Sequence, residues 1–191
     1  MDEKDLVRRS KEGNEEAFGV LVRKYKTKVY HLAYSLTHDA QAADDLAQEV
    51  FIKAYFALDK FREKSEFGTW IYRIAVNHCR DFLRKRNRLI QIPFENIIGK
   101  ISAQGDETLP EEKEQEEAQR RKVVHTAIQT LPDKYKVILS LRDIQDFSYN
   151  EIAKILDISP GTVDSRLHRA RKMLRKKLEP FFSHKGGGHE M

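Results

Sequence analysis

The chain has 191 residues, enough for one medium domain or two small ones. Charged residues make up 34% and aromatics 9%, which excludes a disordered polar chain, and 9 Gly with 5 Pro argue against a loop-rich all-β fold. A formal charge of +5 suits a polyanionic partner, and a single cysteine, Cys79, excludes an intrachain disulfide and a cysteine-based zinc site.

The start, Met1-Asp2-Glu3-Lys4-Asp5, is charged with no apolar core behind it, so no signal peptide is expected. No apolar run approaches the roughly 18–20 residues of a membrane span, and a reducing, cytoplasmic home is expected. A short helix is predicted near residues 3–12. Phe18, Leu21, Val22, Tyr25, Val29, Leu32, Ala33 and Leu36 then keep helical spacing up to a polar break at Thr37-His38-Asp39. A second stripe uses Ala43, Leu46, Ala47, Val50, Phe51, Ala54 and Leu58. On its polar side Asp45, Gln48 and Glu49 stand at i, i+3 and i+4, a carboxylate-and-amide face that can serve solubility or grip a basic partner.

After a charged loop, Asp59 to Glu66, a third stripe uses Phe67, Trp70, Ile71, Ile74, Ala75, His78 and Phe82. Thr69, Arg73, Asn77, Arg80 and Arg84 line its other face, and Lys85, Arg86 and Arg88 extend the charge. In the loop, Phe61, Lys64 and Phe67 place aromatics beside cations, a combination that suits single-stranded nucleic acid: exposed bases stack on rings and cations hold the backbone. Trp70 is read as core. Cys79 is read as a small apolar filler.

From about Arg88 to Glu117 the periodicity fails, and Pro93, Gly99, Gly105 and Pro110 punctuate it. Seven acids against Lys113 in residues 106–117 make this an acidic linker, helical only at its end. The organisation expected is all-α: a helical module over 1–88, a flexible linker over 89–117, a second helical module over 118–180 and a disordered tail over 181–191.

In the second module Val123, Val124, Ala127, Ile128 and Leu131 form a stripe that Pro132 ends, and Tyr135, Ile138, Leu139 and Arg142 lie on another. Ser148-Tyr149-Asn150-Glu151 is a capping box for a helix holding Ile152, Ala153, Ile155 and Leu156. After the turn Asp157-Ile158, Ser159 reads as an N-cap with Pro160 at the first helical position. The last helix, predicted to about Leu178, has Val163, Leu167, Ala170, Leu174 and Leu178 inward and Arg166, Arg169, Arg171, Lys172, Arg175, Lys176 and Lys177 outward. Two short helices joined by a tight turn predict a helix-turn-helix whose segment from Thr162 to Arg169 enters the major groove while later cations meet phosphates. That pair alone fits an ordinary transcription regulator with a helical sensor or dimerisation domain equally well.

An enzyme is disfavoured. The histidines His31, His38, His78, His125, His168, His184 and His189 are scattered without a metal-ligand pattern, and no glycine-rich phosphate loop appears. No catalytic residue, metal, cofactor or small-molecule substrate is assigned.

Three segments in order carry a resemblance. Asp44-Asp45-Leu46-Ala47-Gln48-Glu49-Val50-Phe51-Ile52-Lys53-Ala54-Tyr55 resembles the second conserved region of extracytoplasmic-function sigma factors of RNA polymerase. Phe67-Gly68-Thr69-Trp70-Ile71-Tyr72-Arg73-Ile74-Ala75-Val76-Asn77 resembles their promoter-melting segment. Leu131-Pro132 and Gly161-Thr162-Val163-Asp164-Ser165-Arg166-Leu167-His168-Arg169-Ala170-Arg171 resemble their fourth region. The resemblance implies a non-catalytic subunit that brings core polymerase to promoter DNA and helps open it, with the polymerase beta-prime clamp and beta flap, promoter DNA and an anti-sigma factor as partners. It implies that Asp45, Gln48 and Glu49 meet the clamp coiled coil. Phe61, Lys64, Phe67, Arg73, Asn77, Arg80 and Arg84 would meet the minus-ten element. Thr162, Asp164, Ser165, Arg166, His168, Arg169 and Arg171 would meet the minus-thirty-five element. Asp164 departs from the family, which usually carries Lys or Arg there, and implies an altered minus-thirty-five preference. A carboxylate can accept from a cytosine amine or pair with His168 or Arg171.

Overall fold

The structure is a computed structural model that describes residues 2–62, 65–89 and 112–182, and all regular structure among them is helical. The first body contains α1 (Glu3–Lys11), α2 (Glu15–Thr37), α3 (Ala40–Ala57), one 3-10 turn (Leu58–Lys60) and α4 (Phe67–Leu89). Short polar residues set its boundaries. The Ala17 amide donates to Asn14 Oδ1 at 2.9 Å to cap α2, and the Ala42 amide donates to Asp39 Oδ1 at 3.0 Å to cap α3. Between them His38 takes a left-handed conformation (φ 52°), so the chain reverses within two residues. Leu21, Leu32 and Leu36 of α2, Val50 and Ala54 of α3, and Ile71, Ala75 and Leu83 of α4 are fully buried. Each such branched side chain contributes about 1.5–3 kcal/mol by leaving water.

The second body holds α5 (Glu112–Gln129), α6 (Asp133–Leu139) running on through a wide π turn (Ser140–Ile144), α7 (Tyr149–Leu156) and α8 (Pro160–Phe182). Helix α5 begins at Glu112, within the end of the linker that was expected to turn helical. One boundary differs from the sequence expectation. Helix α8 continues past Leu178 to Phe182, with Pro180 inside its last turn, where proline supplies no N–H and that turn lacks one bond. The expected tail from Ser183 onward, and most of the expected linker, lie outside the described residues.

The larger difference concerns the relation of the two bodies, which pack on one another. The Tyr72 and Phe147 rings meet edge to face at 4.7 Å, and the Ser35 and Ser140 hydroxyls are 2.5 Å apart in a buried setting. Arg73 donates to the Lys154 carbonyl at 2.6 Å, and Arg86 donates to the Thr37 carbonyl at 3.0 Å and to Gln129 Oε1 at 3.5 Å. Lys136, only 2% exposed, lies at this seam beside Asp133 at 3.3 Å, and burial lowers its pKa. His38 stacks edge-on against His125, and the Nε2 atoms of both are buried with no hydrogen-bond partner. Burial, with the charges of His125, Arg86 and Lys136 nearby, pulls the His38 pKa down to about 4.

Candidate nucleic-acid and protein interfaces

Asp45, Gln48 and Glu49 are all exposed on α3. Each has a partner within the chain. Gln41 donates to Asp45 at 3.2 Å, and Gln48 donates to Asp44 at 2.7 Å. Glu49 leans across to α4, 2.6 Å from His78 Nε2, while His78 Nδ1 lies 2.6 Å from Lys53 Nζ. An ammonium can only donate, so Nδ1 accepts and Nε2 carries the proton that Glu49 receives. The sequence reading missed what continues this face. Ile52 (55% exposed) and Phe56 (79%) follow Gln48 at four-residue steps, with Tyr55 beside them. Together they make exposed apolar surface that adjoins the polar stripe. The signal was present: the three- and four-residue steps from Asp45 through Gln48 run on to Ile52 and Phe56.

On α4 the predicted stripe is real in space: Arg73, Asn77, Arg80 and Arg84 are all exposed. Arg84 pairs with Asp81 at 3.0 Å, and Arg73 is turned to α7, within 4.0 Å of Asp157 as well as bonded to Lys154. Asn77 and Arg80 are left as the outward centre of the stripe. Of the loop aromatics, Phe61 is placed otherwise than expected and Phe67 follows its place in the apolar stripe. Phe61 and Phe67 are 5% and 2% exposed, packed against Trp70 at 4.9 and 5.5 Å. They are core residues here because three large rings and Tyr25 need one apolar site, and the loop is short enough to deliver all of them to it. Lys60 and Arg62 are exposed in that loop; Lys64 lies outside the described residues.

The helix pair α7–α8 is built by its caps. The Glu151 amide donates to Ser148 Oγ at 3.3 Å, and the Ser148 amide donates back to Glu151 at 2.8 Å. Those bonds from Ser148 hold the Glu151 carboxyl below its ordinary range. The Thr162 amide donates to Ser159 Oγ at 3.2 Å at the start of α8. Val163, Leu167 and Ala170 are buried against Ile152 and Ile155, so the other side of α8 faces out. Asp164, Ser165, His168, Arg169 and Arg171 are exposed there, with Thr162 and Arg166 half-buried. Arg171 is held by Asp143 at 2.6 Å, a bond that raises its pKa, so it braces α8 on the turn after α6. Asp164, His168, Arg171, Lys172 and Arg175 line an open groove of about 1170 Å³ beside Tyr149.

No group of three or more His, Cys, Asp or Glu residues among those described could hold a metal ion. The Cys79 thiol is buried and its pKa is pushed up to about 12, which withholds the thiolate a nucleophile needs. No helix among the described residues is long and apolar enough to cross a membrane.

Residues 21–89 match the family model described as Sigma-70 region 2, and residues 121–174 match that described as Sigma-70, region 4. The chain is 40% identical over 184 residues to RNA polymerase sigma-H factor of Pseudomonas aeruginosa, covering 93% of this chain and 94% of that one. It is 36% identical over 182 residues to the ECF RNA polymerase sigma factor SigW of Bacillus subtilis, covering 92% and 96%. Among solved structures it resembles CnrH in complex with the cytosolic domain of CnrY, at a TM-score of 0.67 and 26% identity over 94% of this chain and 99% of that chain.

Proposed function

The chain belongs to the extracytoplasmic-function sigma factors of the sigma-70 family, and from that membership we propose how its surfaces divide the work of directing RNA polymerase to promoters. The observation that carries the reading is the order of two different surfaces on the first body: a polar and apolar face on α3, and a basic, amide-bearing face on α4. A regulator built only on α7–α8 would need neither.

The α3 face, with Asp45, Gln48 and Glu49 extended by Ile52 and Phe56, docks on the polymerase beta-prime clamp. The carboxylates steer and orient, and the apolar end supplies desolvated contact. Asn77 and Arg80 meet the non-template strand of the minus-ten element, with Arg73 and Arg84 joining once their present partners are exchanged for phosphate. A base captured outside the stack offsets part of its unstacking cost, a few kcal/mol, through new hydrogen bonds. Thr162, Ser165, Arg166, His168 and Arg169 read the minus-thirty-five element in the major groove while Arg171, Lys172 and Arg175 follow the phosphates. The second body also meets the beta flap, and an anti-sigma factor competes for these faces. The subunit works in the cytoplasm with polymerase and performs no chemistry of its own.

Asp164 is the exception within a basic surface. It refuses phosphate and guanine and accepts from a cytosine amine. Asp164→Arg is expected to change the preferred minus-thirty-five sequence in a promoter-selection assay, and an unchanged preference would remove Asp164 from the readout.

The deciding experiment is run-off transcription with purified core polymerase on a promoter library. Initiation at a defined pair of elements is expected. A protein that binds DNA without restoring initiation would be a regulator instead.

A further inference from the structure

Between the face assigned to polymerase and the face assigned to DNA stands one side chain that touches both helices. His78 belongs to α4, directly after Asn77, yet its ring points back to α3 and is only 12% exposed. Glu49 and Lys53, one turn apart on α3, hold its two nitrogens at 2.6 Å each. Two charged groups of opposite sign therefore fix both the tautomer and the rotation of the ring. Rotation by half a turn would put ring carbons where the two nitrogens stand, and the other tautomer would aim an N–H at the ammonium and a lone pair at the carboxylate, so only one arrangement is satisfied.

This clamp uses a carboxylate that the reading above also offers to polymerase. A cation on the polymerase that meets the other oxygen of Glu49 leaves this bond in place and fixes the carboxylate, and with it the ring, against α4. The ring stands one residue from Asn77 and two from Arg80 on the same helix. We propose that His78 is a positioning residue that ties polymerase engagement of α3 to the presentation of the DNA-facing stripe on α4. It touches neither DNA nor polymerase itself. This rests on the assignment of α3 to polymerase and of α4 to the minus-ten element.

The ring docked between Glu49 and Lys53 is the contact through which a grip on α3 reaches α4. Its contribution belongs to the opening step, because the residues it positions act on melted strand. A promoter that is already open should not need it.

The test uses the full chain with core polymerase and follows open-complex formation on a duplex promoter and on the same promoter with an unpaired minus-ten segment. His78→Ala is expected to bind core as the unaltered chain does. It should open duplex promoter about 10-fold more slowly, the effect of one charge-assisted hydrogen bond, and initiate normally on the unpaired template. His78→Gln, which keeps an N–H for Glu49, should recover most of the rate. Lys53→Met at an exposed position keeps the fold and should slow duplex opening several-fold by releasing Nδ1. Equal losses on both templates, or duplex opening at the unaltered rate in both His78→Ala and Lys53→Met, would overturn the role of His78. Failure of His78→Gln to exceed His78→Ala would do the same. Absence of initiation by the unaltered chain would instead overturn the functional reading on which the role rests.

Discussion

Single residues settle several local questions that composition leaves open. Gly68 is an example, because alanine is ordinarily the better helix residue by about 1 kcal/mol. Here a Cβ would stand 2.9 Å from Tyr25 Oη and 3.3 Å from its ring. The Tyr25 hydroxyl donates to Glu3 at 2.8 Å, so the ring cannot swing clear without losing that bond. Overpacking of this kind costs about 1–3 kcal/mol, so Gly68→Ala is expected to lower Tm by about 2–4 °C for a net loss near 1 kcal/mol. A melting point unchanged or raised would show that Tyr25 gives way. Residue-scale features were also where the sequence was least legible. Nothing in the spacing of Phe61 separates an exposed stacking ring from a buried one, and Phe67 stood both in the apolar stripe of the third helix and beside the cations of the loop; the joint demand of Trp70 and Tyr25 for the same apolar site buries both. The His78 clamp was equally hidden, since the residues that meet are 25 and 29 positions apart in sequence.

At the scale of elements the sequence was far more informative. Helical periodicity placed α2, α3 and α4 because their apolar stripes are long and uninterrupted, and Ser148, Glu151, Ser159 and Pro160 marked α7 and α8 through local hydrogen-bonding chemistry. Local chemistry is readable from neighbours in the chain, and the start of α5 at Glu112 falls within the linker end that was expected to turn helical. The capping box makes a testable claim. Ser148→Ala removes an acceptor for the Glu151 amide and should cost about 1 kcal/mol, with Ser148→Thr retaining most of it. Because α7 carries the buried Ile152 and Ile155 against which α8 packs, the same change should weaken binding to a minus-thirty-five duplex. Thermal melting and duplex titration would check the two effects, and a loss of stability without loss of affinity would separate the cap from the DNA face.

The whole molecule is held in a closed arrangement by a seam of polar and charged groups, and this was invisible in the sequence. Two modules in order were legible; that Ser35 meets Ser140 and Arg73 meets Lys154 depends on pairings across more than 80 positions. The seam has a pH dependence with a definite sign. His38 and His125 are kept neutral by burial, and Arg86 and Lys136 face His38, with Asp133 offsetting Lys136. Opening would return His38 to the ordinary value near 6.5. The closed form binds fewer protons, so it is fully favoured above about pH 6.5 and is progressively lost as the pH falls toward 4. Small-angle scattering is expected to show expansion between pH 7.5 and 5, and His38→Asn, which tolerates the left-handed backbone, should flatten that response. The seam can also be locked. Cysteines replacing Ser35 and Ser140, whose hydroxyls are 2.5 Å apart, should oxidise to a form that no longer initiates and that reductant restores. Full transcription by the oxidised form would show that initiation proceeds with the seam shut.

The packing of Tyr72 on Phe147 and of Ser35 on Ser140 has one further consequence, which concerns reach. Elements centred near positions −10 and −35 are separated by about 25 base pairs, or about 85 Å of duplex at 3.4 Å each. A 23-residue helix such as α8 is about 34 Å long, less than half of that span. Between Leu89 and Glu112 lie 22 residues, whose fully drawn-out length is at most about 75 Å. On the proposed division of the two promoter elements between the bodies, that length sets an upper limit on the spacer the protein can bridge, however well each element is recognised.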